Sequence, residues 1–115
     1  MKIGIPKEIK KDEYRVGIVP SGVRSFVLAG HKVIIEDGAG LGSGISNSEY
    51  EFEGAEIVPS VKDVYLRADM IMKVKEPLLS EYDMLREGQI LYTYLHLAPA
   101  PDLTKALLKR KIIAI

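Results

Sequence analysis

Six short apolar runs rich in β-branched residues recur along the chain, and stretches of helical pattern separate them. The runs span Lys2–Pro6, Lys32–Glu36, Glu56–Val58, Met70–Val74, Ile90–Leu95 and Ile112–Ile115. Such runs, bounded by turn residues, read as strands. Between them lie helices with legible ends. "PSGVRSFVLAG" carries Pro20 near its start, Val23, Phe26 and Val27 on one face, and Gly30 as a stop. "SNSEYEFEG" opens on a capping box from Ser46 to Glu49 and closes at Gly54. Ser60 and Ser80 are the expected N-caps of two more helices, each with an aspartate three residues on. "PDLTKALLKRK" sets Leu103, Ala106 and Leu107 on one stripe and gathers basic residues where the helix dipole favours them. Strands joined by helical crossovers run parallel, and a parallel sheet is covered on both faces. The pattern therefore predicts an α/β fold: a mostly parallel sheet with helices on both faces, an open sandwich of Rossmann-like or flavodoxin-like type.

The chain's 115 residues suffice for one domain with a single modest core. Basic and acidic residues number 16 each, so the formal net charge is zero, which argues against a nucleic-acid binder that depends on excess positive charge. No run reaches membrane-spanning length, and the opening "MKIGIPKEIK" lacks the apolar segment of a signal peptide. Cysteine is absent, which removes disulfides, thiolate nucleophiles and thiolate metal sites. The expectation is a cytoplasmic protein with no membrane partner and no metal site. "KRKIIAI" ends inside an apolar strand with no polar tail, and such a strand needs neighbours and cover. Residues 1–115 are accordingly expected to be the front of a longer protein.

One stretch breaks the rhythm of strand and helix. "KEIKKDEYRVGIVP" fills the gap between the first strand and the first helix and is far longer than an ordinary βα loop. Long loops in compact domains tend to be functional, and this one holds Arg15. A second stretch, "DGAGLGSG", invites comparison with the dinucleotide fingerprint G-x-G-x-x-G. The spacing fails: counted from Gly38, Gly40 or Gly42, the third glycine falls on Ser43, Ile45 or Asn47. A glycine-rich turn with positive φ is the preferred reading, with close backbone approach to a ligand left open.

In open parallel sheets, ligands bind outside the carboxyl ends of the strands. Arg15 lies in the loop leaving the first strand, Lys75 just past Met70–Val74, and His96 at the end of Ile90–Leu95. One sheet edge would thus gather a fork for a carboxylate, a second cation and a titratable group. Each residue also has a plain structural reading. Arg15 neighbours Asp12 and Glu13 and could form a surface ion pair. Lys75 could snorkel to solvent from a strand end, as Lys73 could on the same face. His96 could be a structural histidine. In "ILYTYLHLAPAP", alternation places Ile90, Tyr92, Tyr94 and His96 on one face and Leu91, Thr93 and Leu95 on the other.

The segments "MKIGIPKE", "RVGIVPSGV", "GHKV", "GAGLGSG", "MKVKEP" and "YTYLHLA", in this order, resemble the N-terminal part of bacterial alanine dehydrogenases. The nucleotide-binding subunit of proton-translocating transhydrogenase shares the opening and the glycine-rich turn. That family typically lacks the lysine–glutamate pair after the fourth strand and a histidine matching His96. A stand-alone α/β module such as a phospho-receiver is the third reading, but "PKEIKK" and "IVPSV" supply none of its aspartates. The resemblance implies a two-domain, homo-oligomeric enzyme that interconverts L-alanine and pyruvate with NAD. Its substrate domain would join this stretch to a returning C-terminal segment, with the NAD-binding Rossmann domain between them. It further implies that Arg15 binds the substrate carboxylate, that Lys75 binds and polarises the substrate, and that His96 gives and takes the proton. Tyr94 is a candidate for the pocket wall and equally for the core. The catalytic aspartate and the true glycine fingerprint would lie past Ile115, so residues 1–115 alone are expected to bind no NAD and to be inactive.

Overall fold

The computed structural model describes residues 1–94 and 112–114, with backbone only for Tyr94 and Ala114. The chain order is β1 (Lys2–Ile5), α1 (Pro20–Leu28), β2 (Lys32–Glu36), a 3₁₀ turn (Leu41–Ser43), α2 (Asn47–Phe52), β3 (Glu56–Val58), α3 (Val61–Arg67), β4 (Met70–Lys75), a second 3₁₀ turn (Leu79–Met84), β5 (Ile90–Tyr94) and β6 (Ile113–Ala114). The strands form one sheet in the order β3-β2-β1-β4-β5-β6, and every pairing is parallel. This is the doubly wound Rossmann order and not the flavodoxin order. The predicted helix over 101–111 lies outside the described residues.

Alternation along the strands divides the core in two. Ile3, Ile5, Val33 and Ile35 face Val23 of α1 and Tyr50 of α2. Ile34, Ile71 and Leu91 turn the other way and pack with Val64 and Tyr65 of α3 and with Leu85. Helices thus cover both faces, and this is why the strands read as nearly continuous apolar runs. On the α1 side Met70 and Met72 of β4 are partly buried against that core, and β5 and β6 lie beyond them in the sheet. There Met70, Ile90 and Ile113 form one row and Met72 and Tyr92 the next, and Tyr92 and Ile113 remain 51% and 52% exposed.

Local signals set most helix ends. Pro20 occupies the first turn of α1. The capping box of α2 is closed, with Ser46 Oγ accepting from Glu49 N and Glu49 Oε1 accepting from Ser46 N. Ser60 Oγ accepts from Asp63 N at the start of α3. Ser80 departs from expectation. The turn begins at Leu79 with Leu78 in the cap position, and the carboxylate of Glu81 accepts from Leu78 N at 3.0 Å. With that side chain drawn inward, the segment stays a 3₁₀ turn.

Candidate active site

The two halves of the sheet wind away from each other between β1 and β4, so the loops leaving their carboxyl ends part and open a crevice. The loop after β1 crosses back over the end of β4 and is pinned there. Glu8, with a side chain 2% exposed, accepts from Val74 N at 3.0 Å and from Lys75 N at 3.1 Å. Lys10 pairs with Glu76 just beyond the strand. Further along, the backbone of Gly17 lies so close to β4 that a Cβ there would sit 2.6 Å from the carbonyl oxygen of Met72. Only glycine lets the loop lie flat on the strand.

Beneath this crossing lies a cleft of about 450 Å³ lined by Arg15, Gly17, Met72, Lys73, Val74, Tyr92 and Thr93. Arg15 also borders a hollow of about 300 Å³ on its other side, with Glu8, Glu13, Tyr14 and Gly42 among its walls. The guanidinium forms a fork with Glu13: Nε donates to Oε2 and Nη2 to Oε1, both at 2.9 Å. The amide of Arg15 adds a third bond to the same carboxylate at 2.9 Å. These bonds, side chain first and backbone next, hold the Glu13 carboxyl down at about 2, and the positive charge of Lys75 acts in the same direction. The expected ion pair of Arg15 is therefore present, and it stands at the mouth of the cleft.

The charge of Lys75, at the end of β4, thus acts on Glu13 in the same direction as the Arg15 guanidinium that binds it. Lys75 sits at the last position of β4, opposite Tyr94 at the last position of β5. Its side chain is half-buried. His96 and the side chain of Tyr94 lie outside the described residues.

Lys73 overturns its expectation. It does not snorkel: its side chain is 1% exposed, and Nζ lies 3.2 Å from Glu81 Oε2 and 3.5 Å from Glu8 Oε1. Burying an ammonium is costly unless it is paired and hydrogen-bonded, and here two carboxylates meet it. Tyr65 completes the network by donating its hydroxyl to Glu81 Oε2 at 2.7 Å. Burial and the negative charge of Glu81 push the Tyr65 hydroxyl far above its ordinary range. Glu8, Glu81 and Tyr65 were not legible as site residues. The one available signal was Lys73 itself, a charge on the same face of β4 as the buried Ile71.

The glycine-rich segment is the turn that its spacing suggested. Gly38 and Gly44 have φ of 77° and 76°. Its close backbone approach is to the Arg15 loop: a Cβ on Gly42 would lie 2.8 Å from the carbonyl oxygen of Tyr14, and Ser43 Oγ donates to that oxygen at 2.8 Å. At Gly42 and Ser43 the turn thus packs against the protein's own backbone. Among the described residues no three potential metal ligands gather, and no helix is long and apolar enough to cross a membrane.

Residues 4–115 match the family model described as "Alanine dehydrogenase/PNT, N-terminal domain". An alanine dehydrogenase of Methanococcus maripaludis is 64% identical over 115 residues, which are the whole of this chain and 31% of that protein. A solved L-alanine dehydrogenase superposes with a TM-score of 0.97 at 51% identity, covering all of this chain and 32% of the other. A transhydrogenase from Sinorhizobium meliloti superposes with a TM-score of 0.92 at 29% identity, over 99% of this chain and 34% of the other. The chain thus spans about a third of the length of the relatives it matches.

Proposed function

The chain belongs to the alanine dehydrogenase/PNT N-terminal domain family, and from that premise we propose that it is the substrate-binding part of an NAD-dependent alanine dehydrogenase. The observation that carries the reading is Arg15 on the wall of a cleft at the sheet's switch point, with Lys75 at the carboxyl end of β4, the strand that gives the cleft Met72, Lys73 and Val74. The substrate would be small and carry a carboxylate, such as L-alanine or pyruvate. A guanidinium matches a carboxylate in bidentate fashion, and Glu13 already demonstrates that fit on Arg15. As ammonia adds to the keto carbon, the carbonyl oxygen gains negative charge, and the Lys75 ammonium would stabilise that state more than the ground state. His96 would move the proton that carbinolamine formation and collapse require.

NAD would supply and accept the hydride, and it would be held by parts of the protein other than these residues. The half-exposed face at Tyr92 and Ile113 gives a returning segment of the same protein a seat. A cytoplasmic homo-oligomer is the assembly this reading carries with it.

The test uses the complete protein carrying this sequence and follows alanine-dependent NAD reduction. His96→Ala should lower turnover by roughly two to four orders of magnitude while the protein stays folded. Arg15→Lys should mainly raise KM for pyruvate, and Lys75→Ala should lower kcat as well. Unchanged kinetics in all three variants would remove the assignment. Hydride exchange between two nicotinamide nucleotides without alanine turnover would assign the chain to the transhydrogenase branch instead.

A further inference from the structure

We propose that Glu8 is a positioning residue for Lys75, the carboxylate that bends the end of β4 and sets the direction of the lysine. The inference rests on the role given to Lys75 above. Successive amides of an extended strand point to opposite neighbours. At the end of β4 they do not: the amides of Val74 and Lys75 both donate to Glu8, one to each oxygen, at 3.0 and 3.1 Å. The sheet register carries the same distortion. Met72 pairs with Tyr92, but the next pair is Lys75 with Tyr94, so three residues of β4 are spent against two of β5. This is a bulge, and bulges beside active sites re-aim side chains.

β1 cannot supply the missing acceptors. Its register with β4 runs through Ile3–Met70 and Gly4–Ile71, and its strand ends at Ile5. The side chain of Glu8, three residues farther on, stands where another strand's carbonyls would be. Charge-assisted bonds to backbone amides are short and strong, and the 2% exposure of this side chain keeps water from competing. Lys73 Nζ at 3.5 Å supports the carboxylate from the other side. The chemistry requires glutamate. Glutamine has one acceptor and would turn an N–H₂ toward the second amide, and aspartate is one methylene too short.

The test uses the complete enzyme with pyruvate, ammonium and NADH. Glu8→Gln should lower kcat by about 10- to 100-fold, the scale on which a displacement of about 1 Å acts, while KM for NADH stays within about twofold. In a Lys75→Ala background the same change should alter kcat by less than about twofold, because no lysine remains to be aimed. Equal losses in both backgrounds overturn the proposal, and so does unchanged kcat in Glu8→Gln. Full turnover by Lys75→Ala is a different pattern: it removes the role of Lys75 and this proposal with it. The variant Glu8→Gln/Lys73→Met removes the buried ammonium together with one of its two carboxylate partners and should show the same dependence on Lys75. Loss of folded protein in both Glu8 variants would assign Glu8 to the fold alone and overturn the proposal.

Discussion

Replacing Lys73 by methionine separates the charge of this side chain from its bulk. Its ammonium lies between Glu81 and Glu8, at 3.2 and 3.5 Å, with 1% of the side chain exposed. Methionine fills a similar volume and leaves two carboxylates with no cation. Breaking a buried pair by removing one partner costs about 3–5 kcal/mol. Each carboxylate keeps two other donors: Tyr65 Oη and Leu78 N for Glu81, and Val74 N and Lys75 N for Glu8. Those bonds place the cost at the lower end, about 3 kcal/mol. Against the roughly 5–15 kcal/mol by which native proteins are stable, the loss is large but survivable. With a slope near 2 kcal/mol per molar, the urea midpoint should fall by about 1.5 M at unchanged slope. A second change, Lys73→Met/Glu81→Gln, removes one orphaned charge and should return at least about 1 kcal/mol, a non-additive outcome. A single variant that loses less than about 1 kcal/mol, or a double variant less stable than the single, refutes the view of Lys73 as counter-ion to a dry network.

Gly40→Ala should lower the melting temperature by about 10 °C, for an overpacking cost of about 2 kcal/mol. The new Cβ would sit 2.7 Å from Tyr50 Cε2 and 2.8 Å from the backbone oxygen of Ile45, and moving Tyr50 would strain its 2.7 Å bond to Ile18 O; an unchanged melt would show that the turn yields freely. Acid should act in opposite directions on different carboxylates. Glu13 and Glu56 are held below their ordinary 4.5 by hydrogen bonds from Arg15 and Arg67, so their contribution is present above that value and is lost as pH falls through it toward the folded value. Glu36 is pushed above 4.5 by burial, so its contribution is present below 4.5 and is lost as pH rises through the folded value. Melts between about pH 3 and about pH 7 should show Glu13→Gln costing less at the acid end and Glu36→Gln gaining on wild type toward neutrality; flat differences across that range would contradict both signs.

Local chemistry was legible and tertiary charge placement was not. β2 and β3 begin and end where their apolar runs do, and α2 begins on its capping box, because each signal is satisfied within a few residues. Strand order is not such a signal. Alternating strands and helices fit a Rossmann or a flavodoxin winding equally, and the order is decided by which loops cross where. Glu8 shows the limit most sharply. In "IPKEIK" nothing marks it as other than a solvated loop residue, since its amide partners stand 66 and 67 positions away. Lys73 could have pointed to it, because a lysine two places from Ile71 on the same buried strand face demands a buried anion.

The glycine-rich turn shows how a failed motif still bears on the site. Its spacing excluded a dinucleotide fingerprint, and the glycines turn out to serve the protein's own backbone. Gly42 lets the turn press against the carbonyl of Tyr14, and Ser43 bonds to that oxygen. Tyr14 immediately precedes Arg15. The long loop is therefore held along its length: Glu8 and Lys10 at the end of β4, then Tyr14 against the glycine-rich turn, then Gly17 on the Met72 carbonyl. Arg15 lies between the Tyr14 and Gly17 contacts, 66% exposed at its side chain on a backbone fixed on both sides. The pinned chain beneath it lets the Arg15–Glu13 fork keep its place at the cleft with little order left to gain.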